Sequence, residues 1–463
     1  MASSAKYSEV ISLNTLFQRA QQTANTVWHS KFYLPVLVTL GAVATITQMS
    51  FECMCLYVFI AVMMMLFCDD LMAIFAPVCF TLQISVEYYK DYSQLVPYMM
   101  YAIVPFALAL AFNLIYYRRP VKIGKLFYPL AAVSAALILG GVGVISREDY
   151  FKPVSLYYML GLGLGQLAIY VIFCTRLENK RSYDRTERIA KTLFAAGLLF
   201  AVVIFAFYAQ NFEKFLERGG VLYYKPRNYL TSMFLMCIPS VCVLAKRSNL
   251  YLAGLAVMYA AMLLTGSRSG LIFGTFLVFL CLVHIFSRGK NRRRAYIGAA
   301  AAAIVVIAIV AAVYLLGMYS ARIESAVAGD MTRIEFIKRG IAHFLSAPIF
   351  GIGIGNNADM SIFKAYTPGS MVFYHNFVIQ IICSMGLCGV AAYAWNFISR
   401  AKLIWRNRRR DVFAFALSYF GILMMSLTNP GIFCPFPEAG LMTFLFAVIE
   451  KEDNKKRIGG RKE

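Results

Sequence analysis

The sequence predicts an all-α, polytopic integral membrane protein with about 12–14 transmembrane helices and one long folded extracytoplasmic loop. Three observations lead there. The 463 residues are 60% hydrophobic and only 15% charged, with a mean hydropathy of +0.65, more apolar than one soluble core of this length can bury. Apolar runs of roughly 17 to 25 residues, the length that crosses hydrocarbon as a helix, recur down the chain. The basic residues are confined largely to every second connection between those runs.

The runs fall near 32–48, 51–67, 71–88, 97–116, 126–145, 153–174, 191–210, 229–245, 249–265, 270–286, 295–317, 376–399, 412–428 and 439–450. The second, third and last are short for a span. With the N-terminus inside and sides alternating, the inner segments hold 32 of the 45 Lys and Arg, which is the positive-inside bias. The net charge of +22 therefore orients the protein and does not call for a nucleic acid. Both termini are expected in the cytoplasm.

The N-terminal cytoplasmic segment, 1–31, is too polar and long for an ordinary secretory leader. In it Val10, Leu13, Phe17 and Ala20 recur at helical spacing, which predicts an amphipathic helix that lies on the inner membrane surface or packs against the bundle. Helices follow over 32–317. Residues 318–375 are expected to form the extracytoplasmic loop that would carry any catalytic site, 376–450 to return to transmembrane helices, and 451–463 to be a basic cytoplasmic tail. Loops of this length in a compact protein are more often functional than accidental. Inside the loop Ile334, Ile337, Ile341 and Phe344/Leu345 predict an amphipathic helix ending near Pro348.

The eleven cysteines lie mostly in apolar runs without a CxxC pair and read as small core residues. No cluster of zinc or calcium type is present in the sequence, and GIGIGNN after Pro348 is not GxGxxG and follows no βαβ unit. Its glycines are expected to let the loop turn tightly beneath a ligand.

The outer face is poor in cations, so those it has stand out. Arg268 lies in TGSRSG between two apolar runs; Lys225 and Arg227, in YYKPRN, precede the eighth run; Arg322, Arg333, Lys338 and Arg339 are in the long loop. Guanidinium forks suit phosphate or pyrophosphate at the edge of the hydrocarbon. The plainer alternative for Arg268 is snorkelling to headgroups, and for Lys338 and Arg339 a solvated helix face. Arg333, taken to lie near the first turn of the loop helix, is poorly placed with respect to the helix dipole, which favours a functional role. His375 opens the twelfth run, where an imidazole could orient or deprotonate a hydroxyl. His29, His284 and His343 are weaker candidates.

TGSRSG opening a helix, the loop pattern Arg333, Glu335, Phe344, Pro348, Gly351, Gly353, Gly355, Asn356, and His375-Asn376 opening the next helix together resemble the O-antigen ligase and O-antigen polymerase superfamily. The match covers roughly 225–400. The resemblance implies a glycosyltransferase of the integral-membrane C type in the bacterial inner membrane, whose donor is a glycan on undecaprenyl pyrophosphate and whose acceptor is a glycan or lipid. It implies that Arg268 and Arg333 hold the pyrophosphate and that His375 acts near the acceptor hydroxyl. Arg227, Lys225, Glu335 and Asn376 are supporting donor contacts, and no metal or cofactor is required. Membrane lipids, and a chain-length regulator or flippase, complete the implied partners. Phe336 departs from the pattern, since many members carry Trp shortly after the loop arginine. About fourteen crossings against twelve lean from ligase to polymerase. Rival readings are a lipid-linked oligosaccharide flippase, which calls for two similar halves that are not evident; a peptidoglycan-type polymerase, which calls for an acidic catalytic loop residue; and a structural membrane partner.

Overall fold

A computed structural model describes residues 2–84, 96–143, 145, 154–177, 184–217, 227–287, 323–354, 374–429 and 436–459. Among them the regular structure is helical, with no strand. In chain order the main helices are α1 (Ala2–His29), α2 (Tyr33–Thr47), α3 (Ser50–Phe67), α4 (Leu71–Ile84), α5 (Val96–Tyr116), α6 (Phe127–Gly141), α7 (Met159–Arg176) and α8 (Arg185–Gln210). They continue as α9 (Arg227–Leu244), α10 (Leu250–Leu264), α11 (Gly270–Ser287), α12 (Ile323–Ser346), α13 (Phe377–Asn407), α14 (Phe413–Ser426) and α15 (Phe436–Gly459). Every predicted run except 295–317, which lies outside the described residues, falls on one of them. Six, α3, α7, α8, α9, α11 and α13, are long and apolar enough to cross a membrane, and Asn14–His29 with Tyr33–Thr47, bent by 76°, makes a seventh if the pair is one span. The protein is a multi-pass membrane protein.

The chain divides into two compact units. One comprises 1–120 and 175–210. There Phe17 of α1 sets its ring against Phe67, Phe112 and Tyr116, at 5.2–6.1 Å between centroids. Gln21 Nε2 donates to Tyr117 Oη at 2.8 Å. Of the two placements open for the N-terminal helix, packing against neighbouring helices is the one found. The same unit buries Arg176, whose guanidinium donates to the Asn113 and Tyr117 carbonyls and to Asn113 Oδ1 and lies 3.6 Å from Asp69. A buried charge persists where hydrogen bonds and an opposite charge compensate it in this way.

The other unit comprises 121–174 and 211–463, and its organising feature is a break in α13. Gly386 has φ +58° inside that helix, so the backbone there cannot bond within the helix. An extended segment fills the gap. Leu387 and Cys388 N–H donate to the Pro348 and Ile349 carbonyls, while Ile352 and Gly353 N–H donate to the Cys383 and Ser384 carbonyls. On the far side Ile354 N–H donates to Gly141 O at the end of α6. Gly351 and Gly353 have φ +73° and +93°, and a Cβ at Gly351 or Gly386 would run into the partner backbone. The tight turn expected of this run is seen at Gly351 and Gly353, where it brings three backbones into contact. Ile352 and Ile354 are fully buried, and Ile354 joins Val133, Leu137, Leu162, Ile381 and Met385 in one core.

Candidate active site

The segments bearing the predicted residues converge at one end of the second unit through a relay of short polar side chains. Arg227 is the first residue of α9, and its carbonyl accepts from Thr231 Oγ1 at 2.7 Å. Thr231 Oγ1 is 3.1 Å from Thr265 Oγ1, and Ser267 Oγ donates to Asn228 Oδ1 at 2.9 Å. These bonds clamp the TGSRSG turn on the start of α9. The turn itself is made by Gly266 at φ +70°, and Ser267 Oγ accepts from Gly270 N–H. Gly270 has to be small, because a Cβ there would stand 2.7 Å from Thr231 Cγ2. The loop therefore has a fixed shape, and Arg268 sits at its centre, half-buried. Among the described residues its guanidinium has no hydrogen bond or ion pair. A partly desolvated, unpaired guanidinium is a ready anion site.

From this turn the relay reaches the histidine. Thr428 Oγ1 donates to Ser269 Oγ at 2.9 Å, and the neighbouring Leu427 carbonyl accepts from Asn376 Nδ2 at 3.1 Å. Asn376 is also the N-cap of α13, its Oδ1 accepting from Val378 and Ile379 N–H, as capping requires of the donors at a helix start. His375 stands just before it with φ +54°, a left-handed conformation uncommon outside glycine. Its ring lies 5.5 Å from that of Phe336 on α12, so the residue that departs from the expected Trp packs on the imidazole.

The loop contributes less than its sequence motif suggests. α12 begins at Ile323, which puts Arg333 in its middle and removes the dipole argument made for it. The side chain of Arg333, and Lys225 as a whole, lie outside the described residues. Glu335 is ion-paired with Arg339 at 3.2 Å, one turn on. The predicted isoleucine stripe does not pack inward. Phe336 and Gly340 face α13, whereas Ile334, Ile337, Ile341 and Leu345 are exposed.

The partner of His343, which the sequence ranked among the weaker candidates, and the buried Glu438 escaped the sequence reading. His343 Nδ1 is 2.6 Å from Tyr374 Oη, and Tyr374 is buried beside His375 with its N–H donating to Gln380 Oε1. Only the adjacency of Tyr374 to His375 hinted at it. Glu438, in the first turn of α15, is completely buried beside Ser232, and neither carboxylate oxygen makes a hydrogen bond of good geometry. Nothing in PFPEAG signalled that burial. Among the described residues no three His, Cys, Asp or Glu side chains meet as a metal-ligand set.

Residues 253–394 match the family described as O-antigen ligase. Over this segment the chain is similar to the O-antigen ligase and polymerase superfamily. No curated protein matches the chain. The ligase segment runs from within α10 to within α13, so it holds the TGSRSG turn, α12, the glycine segment and His375-Asn376, while Arg227 and Glu438 lie outside it. That match supports a role of membrane-glycosyltransferase type in polysaccharide biosynthesis.

Proposed function

We propose that this protein transfers or polymerises glycan units carried on undecaprenyl pyrophosphate at the extracytoplasmic face of the bacterial inner membrane, in the assembly of a surface polysaccharide. The observation that carries the reading is the half-buried Arg268, unpaired among the described residues and held by the same polar relay that fixes Asn376 and His375, all within the O-antigen ligase segment. In the proposed reaction an acceptor hydroxyl attacks the anomeric carbon of the donor. The bond from that carbon to the phosphate oxygen breaks, and the carrier pyrophosphate departs with the electron pair. Arg268 and Arg333 stabilise the charge developing on it, as preorganised cations do in other transfers. His375 orients the hydroxyl and takes its proton. Arg227, Lys225 and Asn376 serve donor binding; Glu335 acts there through its pair with Arg339. No metal is assigned a part.

Orientation of the site outward rests on the distribution of Lys and Arg in the sequence. The test is an assay of purified protein in vesicles with carrier-linked repeat units. Wild type should form longer or acceptor-linked glycan, and Arg268→Ala, Arg333→Ala and His375→Ala should be inactive though normally inserted. Full activity in any one of them removes that residue from the mechanism. Translocation of the donor without bond formation would instead establish the flippase reading.

A further inference from the structure

The second half of the long loop does not lie where an aqueous loop would. From Phe336 onwards α12 runs side by side with α13 and in the same direction. Phe336 meets His375, Gly340 meets Ile379 and Cys383, and Pro348 meets Leu387, so partners keep one spacing in sequence along the pair. α13 is a candidate membrane span. Whatever lies beside its first turns shares their depth.

We infer that residues from about Phe336 to Ile354 form a re-entrant membrane element, with Ile337, Ile341, Leu345 and Ile349 in contact with the acyl chains of the leaflet at the His375 end of α13. Four further observations agree. The side of α12 turned away from α13 is apolar and open, with Ile341 49% and Leu345 69% exposed, and Ile349, just past the end of the helix, is 59% exposed. That open stripe continues onto the span itself, because Ile349 O accepts from Cys388 N–H and the adjacent Leu387 is 55% exposed. Non-helical backbone survives at membrane depth only when protein satisfies its polar groups. Here the extended segment and the break at Gly386 complete one another's hydrogen bonds. Lys338, exposed near the shallower end of the stripe, has the length to reach headgroups while its stem lies against lipid. The element would carry Phe336 and His343, and with them the contacts to His375 and Tyr374, at the level where a lipid-linked donor presents its phosphates. The inference concerns depth alone and stands or falls apart from the proposed chemistry.

The test uses the full-length protein in vesicles of phosphatidylcholine brominated at defined acyl positions. Ile337→Trp, Ile341→Trp and Leu345→Trp are compared with the parent, whose own tryptophan emission is subtracted. The added emission should be lost to acyl-chain bromine and resist aqueous iodide, with Leu345→Trp responding to deeper bromines than Ile337→Trp. Each variant reports independently, so misfolding of one leaves the others decisive. Added emission quenched by iodide and untouched by bromolipid at Ile341→Trp and Leu345→Trp would overturn the inference.

Discussion

The turn that carries Arg268 is clamped by Thr231, Asn228, Ser267 and Thr428, hydroxyl and amide groups whose pairing across distant helices leaves no periodic trace. With the loop so fixed, Arg268→Ala should lower kcat by about a hundred- to a thousandfold, the cost of removing one preorganised electrostatic group. Arg268→Lys should recover only part of it, since an ammonium keeps the charge and loses the planar fork. Steady-state turnover of equally expressed variants decides this. Phe336 is legible as a departure from the family pattern, but its contact with the imidazole is not. Phe336→Ala should lower kcat roughly ten- to a hundredfold by loosening His375, while Phe336→Trp stays active. Equal loss in both would show that ring packing is not what His375 needs there.

Among the elements, α12 and α13 show how far periodicity reaches. The isoleucine spacing correctly predicts a helix that ends before Pro348, and α12 does end at Ser346. It does not reveal which face meets protein, since lipid and a protein core select the same apolar residues. Phe336 and Gly340, which make the contact, form no apolar stripe at all. The glycines are visible too, but what presses on them is not: Gly386 and Gly351 are specified by each other's neighbourhoods across the α13 break. Forcing a side chain onto these left-handed positions costs of order 1–3 kcal/mol from backbone strain alone, before any clash. Gly386→Ala and Gly351→Ala should each lower the Tm of the detergent-solubilised protein, and an unchanged Tm in both would mean the extended segment is not seated in the helix break. Arg333 is the opposite case, a residue the motif makes prominent and whose supposed first-turn position the length of α12 removes.

For the molecule as a whole, the composition announces helices and a membrane, and the described main helices other than α1 and α12 fall on the predicted runs. Several, among them Leu71–Ile84, Phe127–Gly141, Leu250–Leu264 and Phe413–Ser426, are too short to count as spans on their own, whereas α7 and α13 keep spanning length across the π turn at Met159–Leu164 and the break at Gly386. The orientation expected from the Lys and Arg bias has its own check: a reporter enzyme active only outside the membrane should work when inserted near residue 320 and fail when fused after residue 463. The reverse pattern would put the site on the cytoplasmic face. The account turns most directly on one reaction, that of the purified wild-type protein with pyrophosphate-linked glycan repeat units in vesicles, followed beside Arg268→Ala. It predicts new glycosidic product with stoichiometric release of carrier pyrophosphate from the first and none from the second; equal product from both, or donor crossing the bilayer with no bond made, would contradict it.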